Sequence, residues 1–209
     1  MAPQILEECL LNFNVSRESF VLLEKYVQLL ETWQAKINLI GPSTTENIWR
    51  RHVADALQLK ALMRDGTSVI ADLGSGAGIP GLVLALGYGL QAHLYESNGK
   101  KVAFLREVIR QTKIDATVYQ VRLENLEQHI PKALPQYVTA RALAPLTKLL
   151  EWSQPLLSRG VIGLFHKGLD VDRELTEATQ VWKLGALVKH PSMTDSKGTI
   201  LELKEISHV

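Results

Sequence analysis

The stretch Val69-Ile70-Ala71-Asp72-Leu73-Gly74-Ser75-Gly76-Ala77-Gly78-Ile79-Pro80-Gly81 constrains this chain more than any other. A short apolar run ends at an acid, glycines follow at every second position, and a proline opens the next apolar stretch. That is the pattern of a buried parallel strand entering a tight turn and then a helix N-terminus. Glycine lets the main chain take positive φ and lets a ligand come close to the backbone. Pro80 suits a first helical turn, where its missing N–H would have had no partner.

Two ligand classes use such a turn. Gly76-Ala77-Gly78-Ile79-Pro80-Gly81 satisfies the G-x-G-x-x-G of dinucleotide-binding folds. Asp72-x-Gly74-x-Gly76-x-Gly78 instead resembles the first motif of class I S-adenosylmethionine (SAM) methyltransferases. Asp72 separates the two: a carboxylate ahead of the glycines repels a pyrophosphate but suits the cationic SAM.

Beyond the loop the chain alternates regularly between strand and helix. Strands are expected at 69–72, 92–96, 117–121, 137–140 and 161–165, with helices at 80–87, 99–112, 145–157 and 170–182. Two late strands, near 186–190 and 199–204, flank the turn Asp195-Ser196-Lys197-Gly198. Alternating βα units closed by a hairpin predict an α/β, doubly wound, mostly parallel seven-stranded sheet with an antiparallel strand near one edge. Ahead of it, residues 1–65 form an expected helical cap, leaving 66–209 as the Rossmann-like domain. Ser16 is placed to cap a helix with apolar positions Leu23, Tyr26, Val27, Leu30, Trp33 and Ile37. After the break at Gly41-Pro42, Ser43-Thr44-Thr45-Glu46 has capping-box spacing, and Ile48 to Leu57 continues at helical period.

Composition excludes several classes. Length and apolar content suit one soluble domain with an appendage. The run Ile79 to Leu90 is too short for a bilayer, and no basic region precedes an apolar one at the N-terminus, so no membrane span or signal peptide is expected. Cys9, the single cysteine, permits no internal disulfide and fits a reducing cytoplasm. A net charge of +1 limits any nucleic-acid surface to a local patch.

Several side chains are candidates for chemistry. Glu96 ends the second strand, 20 residues beyond Gly76, where a carboxylate can accept from both hydroxyls of an adenosine ribose, in SAM or in NAD. Leu123-Glu124 follows the third strand, beside the expected adenine position. Arg141 ends the fourth strand, facing the same crevice or pairing with Asp72 or Glu124. Lys167-Gly168 follows the fifth, open to a phosphate or base. His52 and Asp55 share a helix face at i, i+3, as a pair or as a bond between helices. Lys100, Lys101, Arg106, Arg110 and Lys113 lie on one helix, as a solvated face or an RNA patch. There is no Asn/Asp-Pro-Pro-Tyr/Phe run for amino methylation, no cysteine at a strand end for attack on a pyrimidine, and no metal-ligand spacing. A substrate atom with its own lone pair, such as guanine N7, needs none of these.

These pieces together resemble the bacterial 16S rRNA guanine-N7 methyltransferases (ribosomal small-subunit methyltransferase G, or glucose-inhibited division protein B). The matching stretches are Trp33-Gln34-Ala35-Lys36-Ile37-Asn38-Leu39, Arg51-His52-Val53-Ala54-Asp55, Asp72 to Gly81, Glu96-Ser97-Asn98-Gly99-Lys100-Lys101-Val102-Ala103-Phe104-Leu105, Ala140-Arg141-Ala142-Leu143-Ala144-Pro145-Leu146 and Lys167-Gly168. The resemblance implies SAM held by Gly74, Ile79, Leu123, Glu124 and Arg141, with Glu96 on the ribose; the glycine motif adds Asp72, Gly76 and Gly78 to the expected SAM site. The candidates for catalysis are Arg141, to hold SAM or steer the base, and Lys167, to meet the phosphates. The substrate would be a guanosine in the decoding-region loop of 16S rRNA within the small subunit, and the enzyme a cytoplasmic monomer. Ala56 stands where the family often has Ser, and His166 where it has an aliphatic residue. The last strand lacks the Arg that many members carry just before it. A NAD-dependent oxidoreductase and a catalytically silent RNA-binding assembly factor are the alternatives.

Overall fold

The computed structural model describes Gln4, Glu7 and residues 11–209; Cys9 lies outside the described residues. Its centre is a seven-stranded sheet in the order β3-β2-β1-β4-β5-β7-β6. The strands are β1 (Val69–Leu73), β2 (Gln91–Glu96), β3 (Ala116–Gln120), β4 (Tyr137–Arg141), β5 (Ile162–Lys167), β6 (Trp182–Pro191) and β7 (Thr199–His208). The first five are parallel, and β7 enters antiparallel between β5 and β6. This is the sheet expected for a class I methyltransferase.

Both faces are covered, which is why the central strands are continuous apolar runs. On one face pack α1 (Arg17–Gln34), α2 (Gly81–Tyr88) and α3 (Gly99–Thr112), sharing one core through Tyr26, Leu30, Leu82, Phe104 and Leu105. On the other lie α4 (Leu146–Leu157) and α5 (Val171–Ala178), around Leu149, Leu150, Phe165 and Trp182. Ser16 caps α1 as expected, its hydroxyl accepting from the Ser19 amide. Asn98 caps α3 in the same way, through the amides of Lys100 and Lys101.

Two stretches differ from the sequence pattern. The helix expected after residue 42 is a chain of short turns: 3-10 at Pro42–Asn47, π at Trp49–Ala54, α at Asp55–Leu57 and 3-10 at Gln58–Leu62. No side chain caps the first of them, because the Thr44 and Thr45 hydroxyls donate back to the carbonyls of Gly41 and Pro42. Uneven winding lets His52, Asp55 and Gln58 all be buried, His52 against Thr44 and Asp55 against Gln58. The helix expected over 170–182 ends at Ala178, since Trp182 is buried in the core and stacks on His208 as the first residue of a longer β6.

Candidate functional site

Strand order turns back at β1, between β2 and β4, and open α/β sheets hold ligands at the carboxyl ends of such strands. The glycine loop occupies that point. Gly74, Gly76 and Gly78 have φ of +63°, +56° and +85°, the left-handed region that side chains other than glycine rarely adopt. The turn aims the Gly76 N–H at Glu96, donating to Oε2 at 2.8 Å, while the Asn98 N–H donates to Oε1 at 2.7 Å. An ionised carboxylate has about four acceptor positions, so Glu96 keeps capacity beside the crevice. From the other side, the buried Tyr26 hydroxyl donates to the Ala77 carbonyl at 2.9 Å, tying α1 to the loop.

Three hollows adjoin across this end of the sheet. The first, about 300 Å³, is lined by Gly74, Glu96, Leu123, Glu124 and Trp152. The second, about 210 Å³, is lined by Ile40, His52, Gly76, Ile79 and Arg141. Gly74, Lys101 and Ala142 border both, so the two form one trough over the loop. The third, about 330 Å³, lies beyond Arg141 and is walled by Asp55, Arg141, Lys167, Glu174 and Thr194. Arg141 stands between trough and third hollow. The structure therefore brings Gly74, Gly76, Ile79, Glu96, Leu123, Glu124 and Arg141 together around the trough, and sets Lys167 one step further out.

Asp72 and Gly78 are placed differently. Asp72 is fully buried beneath the loop rather than in the trough wall, with Oδ1 accepting from the Thr139 hydroxyl at 2.8 Å. Its Oδ2 has no hydrogen-bond partner among the described residues. Burial pushes its pKa up to about 6, against the pull of the Thr139 hydroxyl. Gly81 is required above it: a Cβ there would sit 2.5 Å from the Asp72 Cβ. Gly78 packs inward on Leu82.

Arg141 pairs neither with Asp72 nor with Glu124. Its Nη1 lies 3.3 Å from Asp55 Oδ2, and its Nη2 donates to the Arg51 carbonyl at 2.8 Å. Asp55 is the centre of a network: Gln58 Nε2 and the Thr194 hydroxyl donate to its Oδ1 at 2.8 and 2.6 Å. His166, the departure from the family pattern, joins here, with Nε2 donating to the Asp55 carbonyl at 2.9 Å. Burial lowers its pKa, so the ring is neutral near pH 7. His52 turns away from Asp55 to the Thr44 hydroxyl, 2.8 Å from Nε2, and burial lowers its pKa to about 4. Lys167 is held by Glu174 and by the Ala144 carbonyl. On α3, Arg110 is taken up by Glu107, the solvated-face reading of that residue.

Three participants were outside the sequence candidates for the site. Lys101 enters the sequence reading as one of a helix's basic residues and within the Glu96–Leu105 stretch, with no role in the site, yet it borders both halves of the trough. Trp152, whose buried indole N–H has no hydrogen-bond partner among the described residues, and Glu174 come from helices behind β4 and β5, with no local signature. Among the described residues there is no cluster able to hold a metal ion and no helix long and apolar enough to cross a membrane.

Solved structures share this fold at low identity. TYW2 of M. jannaschii in complex with AdoMet aligns with a TM-score of 0.57 at 15% identity, covering 84% of this chain and 80% of that one. MtNAS with S-adenosylmethionine aligns with a TM-score of 0.57 at 16% identity, over 90% and 76%. Sequence relatives are much nearer. Proteins named ribosomal RNA small subunit methyltransferase G are 45% identical in Methylorubrum populi, over 100% of this chain and 99% of that one, and 45% identical in Paramagnetospirillum magneticum, over 96% of each. Residues 20–201 match the family described as rRNA small subunit methyltransferase G. With that match and those relatives spanning it almost end to end, the chain belongs to the rRNA small subunit methyltransferase G family.

Proposed function

We propose that this chain transfers the SAM methyl group to N7 of a guanosine in the decoding-region loop of 16S rRNA, acting as a cytoplasmic monomer on the small subunit. The observation that carries the reading is the trough itself: a glycine loop and a strand-end carboxylate on one side, a cation opening onto a second hollow on the other. The side chains suit SAM. Glu96 retains acceptor capacity for ribose hydroxyls, Leu123 offers an apolar wall for adenine, and the Asp72 charge lies directly under the loop.

SAM, when bound, supplies an electrophilic methyl group on a positive sulfur. The protein's own work is binding and alignment. Gly74, Gly76 and Ile79 line the methionine half; Glu96, Leu123 and Glu124 line the adenosine half. Arg141 sits where the trough meets the third hollow, positioned to orient a base drawn out of its stack. Guanine N7 brings its own lone pair, so no residue has to remove a proton, and orientation with exclusion of water supplies the catalysis. Residues 1–65 act as a cap on the SAM-binding domain of 66–209, with Leu39, Ile40 and His52 closing one wall of the trough.

Small subunits incubated with the enzyme and labelled SAM, followed by mass spectrometry of nucleosides, test this. Label is expected in 7-methylguanosine. Label in a ribose, an exocyclic amine or a pyrimidine would overturn the N7 assignment, and label nowhere in RNA would overturn the substrate class.

A further inference from the structure

We propose that Lys167 and Glu174 together read the Watson–Crick edge of the target guanine in the third hollow. The inference rests on the methyltransferase reading above and names the residues that select the base.

Three carboxylates line that hollow, and two are fully engaged. Asp55 Oδ1 accepts from Gln58 and Thr194, and its Oδ2 faces Arg141 and His166. Asp195 Oδ1 accepts from the Lys197 N–H, and its Oδ2 pairs with Arg51. Glu174 differs. The Leu146 N–H at 2.6 Å and the Lys167 ammonium at 2.5 Å both fall on Oε2, and no hydrogen bond reaches Oε1 among the described residues. Lys167 has three donors; it donates to the Ala144 carbonyl and is ion-paired with Glu174. The pair thus offers an ammonium donor beside a carboxylate oxygen whose two acceptor positions are both open, enough for two neighbouring N–H groups.

Guanine matches that offer: O6 accepts, and the adjacent N1–H and exocyclic amine donate. Adenine reverses the order, setting its N1 lone pair against the carboxylate and its amine against the ammonium. The pair is also well placed for discrimination, because its side chains are only 8% and 17% exposed. In such surroundings a hydrogen bond is strong and an unmade one is costly. Topology fixes the orientation. Lys167 ends β5 and Glu174 lies on α5, on the side of β4 away from the trough. N7 lies across the purine ring from N1 and the amine, so a base read by this pair turns N7 toward the trough.

The test replaces the target guanosine by inosine, which lacks only the exocyclic amine, in small subunits reconstituted with the altered 16S rRNA. The wild-type enzyme should lose about tenfold or more in kcat/KM on inosine, the range for a lost hydrogen bond to a charged group. Glu174→Ala should methylate guanosine more slowly and discriminate between the two bases by less than about twofold, with SAM affinity unchanged by calorimetry. Equal rates of the wild type on guanosine and inosine would overturn the inference, whether or not the variant folds. A Glu174→Ala enzyme that keeps the wild-type preference would do the same. Failure of the wild type to methylate guanosine at all would instead strike the function proposed above.

Discussion

Asp55 Oδ2 lies 3.3 Å from Arg141 Nη1, joining the irregular helical segment to the end of β4 at the point where the trough meets the third hollow. Both side chains are largely buried, so removing one leaves the other charge unsatisfied in a poorly solvated place. Asp55→Ala should cost about 3 kcal/mol in denaturant unfolding, toward the lower end for broken buried pairs. The exposed Arg51–Asp195 pair nearby is the control. Asp195→Ala should cost no more than about 1 kcal/mol, and equal losses for the two variants would show that Asp55 does not anchor Arg141.

Glu96 holds the Gly76 and Asn98 amides and faces the adenosine half of the trough. Glu96→Ala should weaken SAM binding by about 1.5–3 kcal/mol, as expected for hydrogen bonds to a charged group. Calorimetry on the folded variant checks this, and unchanged affinity would remove Glu96 from the ribose site.

Tyr26 is the direct hydrogen bond between α1 and the glycine loop. Tyr26→Phe keeps the packing and leaves the buried Ala77 carbonyl without that donor, at about 1–2 kcal/mol of stability. A loosened loop should also bind SAM less tightly. Were stability to fall with SAM affinity unmoved, the tether would matter to the fold alone.

The glycine loop, the βα succession and Glu96 are legible in the sequence because their signals are local: alternating glycines, apolar runs between turns, an acid at a strand end. Asp55 as the partner of Arg141 is not, since the two meet only when residues far apart in the chain are folded together, and Asp72 and Glu124 are the nearer guesses. The i, i+3 spacing of His52 and Asp55 does not make them a pair; of the two readings, the bond between helical elements is the one His52 makes, to Thr44. Tertiary partners, Thr44 for one and Arg141 for the other, pull the faces apart and wind the segment unevenly. Thr139 is equally silent in the sequence, though register sets it beside Asp72 on the neighbouring strand.

That register gives Asp72 a pH signature. Burial raises its pKa from near 3.8 to about 6, so between those values the folded chain holds a proton that the unfolded chain has released. Its contribution to stability is therefore greatest below about pH 4, declines as pH rises, and levels off above about pH 6. His52, with its pKa lowered from 6.5 to about 4, acts in the opposite sense over much of the same range, stabilising as pH rises. The two must be separated by difference. Asp72→Asn removes only the carboxylate titration, so its stability relative to the parent should improve by roughly 2 kcal/mol between pH 4 and pH 7. Denaturant unfolding of both proteins across that range gives the difference directly, and a flat difference would mean that Asp72 does not titrate there. The same substitution should lower the preference for SAM over its uncharged thioether product. A buried carboxylate under the loop favours the sulfonium charge, and an amide does not.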